Sequence, residues 1–109
     1  MPIDGVGAQT HLQANQAGKV AAALTAVCAA APECAITELD IAGSKADEYA
    51  AVASACLAIK GCVGITVWGV RDSDSWRANT QPLLFDNSFN AKPAYTAMLG
   101  KAKALVEKA

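Results

Sequence analysis

Hydrophobic residues recur along this chain at two spacings, one typical of helices and one typical of strands. In three stretches they follow the helical spacing, as Val20, Leu24 and Val27 do, which predicts helices with one buried face. These helices are predicted at about 17–30, 45–60 and 93–107. Shorter runs rich in β-branched residues predict strands at about 5–12, 34–41 and 62–70.

The predicted order is βαβαβ, then a long loop, then α. Helical connections make consecutive strands parallel, with right-handed crossovers, so the chain is predicted to have an α/β fold. With 109 residues it has the length of one small domain, and we treat residues 1–109 as a single unit. Three parallel strands leave two sheet edges unpaired, which indicates part of a larger architecture.

Two helix starts carry local signals. Ser44, followed three positions later by Asp47, is a near-variant of a capping box and predicts the start of the second helix. Pro93 is suited to the first turn of the third.

Polar residues lie in pairs near the ends of the first two predicted strands. Because side chains alternate along a strand, Gln9 and His11 point the same way, and so do Glu38 and Asp40. Parallel α/β proteins build their active sites at the carboxyl ends of the strands. These residues could instead merely face water at the end of the sheet, but their convergence on adjacent strands favours a functional site.

The only long irregular stretch, residues 69 to 92, follows the third strand and is rich in Asp, Ser and Asn. Loops of this length are usually functional. Trp68 and Trp76 lie at its beginning, and indole rings beside carboxylates suit the C–H faces of sugars. The alternative is that Trp68 belongs to the core and Trp76 anchors the loop.

Four cysteines form two pairs of equal spacing, Cys28 with Cys34 and Cys56 with Cys62. No C-x-x-C pair or nearby histidine indicates a zinc site. Oxidation would close two short loops, stabilise each by about 2 kcal/mol and imply a secreted protein. Four reduced, buried thiols are the other interpretation. We expect the second pair to be a disulfide and leave the first open.

Charge and composition exclude some partners. The chain has 9 basic and 10 acidic side chains, a formal net charge of −1 and no run of Lys or Arg, so nucleic acid and acidic membranes are not expected to bind. No apolar stretch approaches the roughly 20 residues that span a bilayer, and the first residues lack the layout of a signal peptide. Nothing indicates a cofactor or a metal.

Several ordered motifs together resemble one known family. They are GVGAQTH at 5–11, ITELDI at 36–41, GITVWGV at 64–70, DSWR at 74–77, PLLFD at 82–86 and KPAY at 92–95. They look like the last three βα units of glycoside hydrolase family 10, which are endo-1,4-β-xylanases with a (β/α)8 barrel. The resemblance implies a retaining hydrolase acting on xylan or xylo-oligosaccharides, secreted in its parent form.

The resemblance also implies roles for individual residues. Glu38 matches the nucleophile that forms the glycosyl-enzyme intermediate, and His11 with Asp40 matches the hydrogen-bond relay that sets its charge. The residues at or beside positions lining the sugar cleft are Gln9, Trp68, Trp76 and Arg77. A disulfide matching Cys56 and Cys62 is familiar in the family, and one matching Cys28 and Cys34 is less so.

The chain departs from the family in what it lacks. A (β/α)8 barrel has about 250 residues, and retaining hydrolysis needs a second carboxyl group about 5.5 Å from the nucleophile. The family supplies that group from an Asn-Glu motif, and this sequence contains no Asn-Glu. We therefore expect the nucleophile-bearing C-terminal part of a xylanase, inactive alone, whose partner is the complementary N-terminal barrel portion or a second copy. The alternatives are a self-associating assembly module and a sugar-binding remnant.

Overall fold

The computed structural model describes residues 3–108. Its helices are α1 (Val20–Cys28), α2 (Ala46–Ala58) and α3 (Pro93–Lys108). Its strands are β1 (Gly5–Ala8), β2 (His11–Leu12), β3 (Glu33–Ile41) and β4 (Cys62–Val67). Short 3₁₀ turns occur at Ala17–Lys19, Asp72–Asp74 and Ala78–Thr80.

All strand pairing runs through β3, which pairs with β1, β2 and β4 in parallel. Helices connect β2 to β3 and β3 to β4. The predicted α/β class with parallel strands and helical crossovers is therefore confirmed.

The first predicted strand is divided in two. Thr10 has a positive φ of 68°, and its hydroxyl donates a hydrogen bond to the Ala8 carbonyl at 3.1 Å. A β-branched residue in this region is strained, so the strand stops at Ala8 and resumes at His11. The break carries the chain to the level where His11 lies opposite Asp40.

The central strand contains a bulge. Ala8 pairs with Ile36 and His11 pairs with Asp40, so β3 uses one more residue than the neighbouring segment over this interval. It also uses one more than β4, where Ile36 and Leu39 pair with Ile65 and Val67. The extra residue changes the phase of alternation, so that Ile36, Leu39 and Ile41 all belong to the core cluster.

Several predicted boundaries differ from the structure, among them that of the second helix, which is predicted at 45–60 and ends at Ala58. The third strand ends at Val67 rather than at residue 70, because Gly69 turns the chain with a φ of 129°. The first predicted helix, 17–30, begins as a 3₁₀ turn and ends at Cys28. Ser44 does not cap α2, whose N-cap is Lys45; its hydroxyl donates instead to the Leu83 carbonyl at 2.8 Å.

The core lies between the sheet and α2. Its largest fully buried apolar side chains are Tyr49, Ile36, Leu39, Ile41, Leu83 and Val52. The apolar residues of β3 thus pack into this core, whereas Glu38 is partly exposed near the carboxyl end of the strand. No helix within residues 3–108 is long and apolar enough to cross a membrane.

Candidate active site at the carboxyl end of the sheet

A histidine lies between two carboxylates where β2 and β3 end. His11 Nε2 is 2.7 Å from Glu38 Oε2, and His11 Nδ1 is 3.0 Å from Asp40 Oδ2. The side chains of His11 and Glu38 are 20% and 26% exposed, whereas that of Asp40 is fully buried. The Glu38 carboxylate is therefore the one acid of the three-residue cluster that solvent or a ligand can reach.

The electrostatics of the cluster favour a charged imidazole. Partial burial lowers the pKa of His11, but its hydrogen bonds to Glu38 and Asp40 and their negative charges outweigh burial, so the pKa is raised above its ordinary value. A protonated ring donates from both nitrogens at once. An imidazolium then bridges the two carboxylates and holds Glu38 in one orientation.

Asp40 is the centre of a larger network. Its Oδ2 also accepts a hydrogen bond from Trp76 Nε1 at 2.7 Å, and its Oδ1 accepts one from Arg77. Three donors, one on β2 and two on the long loop, thus converge on one buried carboxylate. Both oxygens of this buried acid therefore have hydrogen-bond donors, which offsets the cost of its burial.

An open cleft of about 420 Å³ lies beside this network, lined by Trp68, Gly69, Asp74 and Trp76. The two indoles are 47% and 65% exposed, which is high for tryptophan. The Trp76 ring also stands edge-on to His11, with ring centroids 5.2 Å apart. The cleft therefore presents two aromatic surfaces, and that of Trp76 contacts both His11 and Asp40.

The remaining two predicted cleft residues are placed differently. Gln9 is exposed at the strand break, and its carbonyl accepts a hydrogen bond from the Glu38 backbone N–H at 3.0 Å. The Arg77 side chain is only 11% exposed and its guanidinium lies against the sheet.

An ion pair that sequence reasoning did not identify fastens the long loop. Lys92 Nζ lies 2.9 Å from Asp72 Oδ2, and the Leu83 backbone N–H donates to Asp72 Oδ1 at 2.9 Å. The two ends of the loop are thereby joined at a buried carboxylate. Asp74 pairs with Arg71 instead, and the Arg71 hydrogen bonds hold the pKa of Asp74 below its usual value. Asp72 and Lys92 are 20 positions apart, so no local sequence pattern indicates that they form an ion pair.

Comparison with known proteins identifies the family. Residues 1–101 match the sequence model of Glycosyl hydrolase family 10. This chain belongs to that family. It is 50% identical over 101 residues to endo-1,4-beta-xylanase 3 of Hypocrea jecorina, and 51% identical over 98 residues to endo-1,4-beta-xylanase 2 of Claviceps purpurea.

Solved family 10 structures superpose closely on the chain. Native xylanase 10B from Thermotoga maritima gives a TM-score of 0.83 at 26% identity, covering 99% of this chain and 39% of that one. The Clostridium thermocellum Xyn10B modules complexed with xylohexaose give 0.82 at 31% identity, covering 91% and 23%. The fold is thus part of the family 10 TIM barrel.

This family 10 chain spans 29% and 30% of the length of the two curated relatives named above. Within that span it contains two disulfides, Cys28–Cys34 and Cys56–Cys62, with Cα atoms 5.2 and 5.4 Å apart. The pair whose state the sequence left open is therefore also oxidised in the structure. Among residues 3–108, no group of three or more His, Cys, Asp or Glu side chains is placed to hold a metal ion.

Proposed function

We propose that this chain supplies the nucleophile and one wall of the sugar cleft of a retaining endo-1,4-β-xylanase. The observation that carries the proposal is the Glu38 carboxylate, partly exposed at the end of β3, bound to His11 and adjacent to a cleft with two tryptophans. A nucleophile must be ionised and held in one orientation. The hydrogen bond from His11 supports both requirements.

In the proposed reaction, Glu38 attacks the anomeric carbon of a xylosyl residue while the glycosidic oxygen leaves with a proton from a second carboxyl group. The ester formed on Glu38 is then hydrolysed by water, and the second group acts as a base in that step. The hydrogen bond from His11 orients Glu38 for the first step and stabilises its carboxylate as the leaving group of the second step.

The second carboxyl group is proposed to lie outside this chain. The acids nearest the cleft are already committed, because Asp40 binds His11 and Arg77, Asp72 binds Lys92, and Asp74 binds Arg71. The complementary N-terminal portion of the barrel, or a second copy of this chain, is the proposed source of the remaining strands. We expect little activity from the chain alone.

Trp68 and Trp76 support a sugar substrate, since their exposed faces suit stacking on xylose rings. Two structurally similar proteins are described as complexes with xylopentaose and with xylohexaose. We propose xylan or xylo-oligosaccharides as the substrate here. The two disulfides support a secreted enzyme.

A chimera tests the proposed nucleophile. The segment of the Hypocrea jecorina enzyme that aligns with this chain is replaced by this chain's residues, and release of reducing sugar from xylan is measured. We expect an active chimera in which Glu38→Ala lowers kcat by at least about a thousandfold. Glu33→Ala is the matched control, because Glu33 is exposed at the opposite end of β3.

Azide makes the test specific for a nucleophile. In Glu38→Ala a small anion can occupy the vacated position and attack an aryl xylobioside, so azide is expected to restore turnover and give an α-glycosyl azide. Full activity of the Glu38→Ala chimera would refute the proposal. An inactive variant without azide rescue would remove Glu38 from the nucleophile role.

A second candidate function, sugar binding without chemistry, is favoured by the exposure of Trp68 and Trp76 alone. It is tested on the unmodified chain by tryptophan fluorescence with added xylohexaose. Binding that persists in Glu38→Ala and is lost in Trp76→Ala would support it, and no fluorescence change would exclude it.

A third candidate is self-association through the open sheet edges. β1 pairs with β3 on one flank only, and Val63 on β4 is 63% exposed. Light scattering of the chain alone tests this candidate, and a well-ordered monomer would contradict it.

A further inference from the structure

One cation of the site is turned away from the cleft and into the protein. The Arg77 side chain is 11% exposed, and its Nη2 donates to the carbonyl oxygens of Leu12 and Asp40 as well as to the Asp40 carboxylate. These acceptors belong to β2 and β3, the strands that carry His11 and Glu38. The guanidinium therefore joins the two strands at the level of the site.

Trp76, the residue before Arg77, also binds the Asp40 carboxylate. Trp76 Nε1 donates to Asp40 Oδ2, and Arg77 donates to Oδ1, so consecutive residues of the loop bind different oxygens of one carboxylate. His11 Nδ1 shares Oδ2 with the indole. The plane of the Asp40 carboxylate, and with it the direction from which His11 is held, is thus determined by the loop.

We propose that Arg77 is a positioning residue, which acts through Asp40 to hold His11 and Glu38 in register and to balance the charge of the site. The inference deepens the proposed function and rests on it for its kinetic consequences. With His11 protonated, the cluster contains two carboxylates, Glu38 and Asp40, and two cations, His11 and Arg77. Removing Arg77 leaves the pair of acids with one cation.

A direct sugar contact is the role that the resemblance implied for Arg77. The side chain is only 11% exposed, its Nη2 is occupied by three acceptors and its Nε is buried, so the guanidinium is poorly placed to bind a hydroxyl group. From α2, Tyr49 also faces this cluster, but burial and the charge of Asp40 raise its pKa, so it stays neutral. Glu38 and Asp40 are the charges that raise the pKa of His11, and Arg77 is the cation bound to Asp40.

The titration of His11 tests the inference without catalysis. The chain has a single histidine, so imidazole resonances observed by NMR report His11 alone. In Arg77→Gln we expect the midpoint to rise by about one pH unit, because a positive neighbour that opposes protonation has been removed. Arg77→Lys keeps the charge and should shift the midpoint less. Arg71→Gln, which removes an exposed arginine paired with Asp74, is the matched control and should leave it unchanged.

Identical His11 midpoints in Arg77→Gln and Arg71→Gln, with near-ultraviolet circular dichroism showing that the proteins are folded, would overturn the inference. If Arg77→Gln does not fold, Arg77→Lys decides the matter. The lysine side chain is shorter than that of arginine and does not bring its ammonium to the position of Arg77 Nη2, so the Nδ1 chemical shift of His11 must move. An unchanged Nδ1 chemical shift in Arg77→Lys would also overturn the inference.

The chimera gives the kinetic test. A positioning role predicts that Arg77→Gln lowers kcat, changes KM little and moves the pH–rate profile to higher pH. A sugar contact predicts a raised KM and an unchanged profile, which would count against the inference. An inactive chimera together with a shifted His11 titration would refute the proposed function and leave the positioning role standing.

Discussion

The two ends of β3 are held by different forces. At the amino end, Cys34 is bonded to Cys28 at the end of α1, and its strand partner Cys62 is bonded to Cys56 in α2. The Cys34 backbone N–H also donates to the Gly61 carbonyl at 2.8 Å. This end is a covalent assembly that uses no charged group.

At the carboxyl end the binding is electrostatic. Asp40 is fully buried and holds His11, Trp76 and Arg77 by hydrogen bonds, while Glu38 remains partly exposed. The contrast follows the usual division in TIM barrels, where one end of the strands stabilises the fold and the other carries the chemistry. Charged side chains are thus concentrated at the carboxyl end, beside the cleft.

The largest effect is expected from breaking the carboxyl end. Asp40→Ala leaves Arg77 buried without its carboxylate and should lower the free energy of unfolding by about 3–5 kcal/mol. Urea titration of the full chain measures it. Asp74→Ala, which removes an exposed partner of Arg71, should change the midpoint very little. Equal effects of the two substitutions would contradict the contrast between buried and exposed acids.

Breaking the amino end should cost less and leave the site intact. The double substitution of Cys28 and Cys34 by Ala opens one short loop and should lower the unfolding free energy by about 2 kcal/mol. The same change at Cys56 and Cys62 should cost a similar amount, because both pairs are separated by six residues. We expect the His11 titration to be unaffected. A shifted titration would show that the two ends are coupled.

A smaller effect is expected from Trp76→Phe. This substitution keeps an aromatic surface in the cleft and removes one donor to Asp40, so it should lower the unfolding free energy by about 1.5 kcal/mol. Trp68→Phe is the control, since it changes the other tryptophan of the cleft. If Trp76→Phe and the unmodified chain had the same free energy of unfolding, the hydrogen bond from the indole to Asp40 would make no net contribution to stability.

The smallest expected effect is a pH dependence from His11. Its pKa is raised in the folded state, so its stabilisation is complete below about pH 6.5 and is lost as the pH rises through the folded value. The contribution should be below about 1 kcal/mol, because solvent screens the pair with Glu38. Urea unfolding at pH 6 and pH 8 checks the sign, and His11→Asn should flatten the difference. A higher free energy of unfolding at pH 8 than at pH 6 would contradict the predicted sign.

Much of this arrangement could be predicted from the sequence. Alternation along the strands indicated that His11, Glu38 and Asp40 would meet, and the structure brings them within hydrogen-bond distance. The family and the parallel fold were also predicted, and the comparisons confirm them. These features depend on local patterns and motifs, which can be identified in the amino-acid sequence.

Features set by distant contacts could not be predicted. The bulge in β3 depends on the register of two neighbouring strands, and the strand break depends on the φ of Thr10. The inward direction of Arg77 is determined by Asp40, which lies 37 positions earlier. A sequence lists such partners without saying which of them will meet.

The bulge has one more consequence, for the gene rather than for the protein. Between Ile36 and Leu39 the central strand holds one residue more than β4, where Ile65 and Val67 are the partners. Towards the first two strands the register instead changes after Glu38, since the Glu38 N–H bonds to the Gln9 carbonyl and the Asp40 N–H to the Thr10 carbonyl. The loss of one codon from this interval would straighten the strand and change the angle at which Glu38 leaves the sheet.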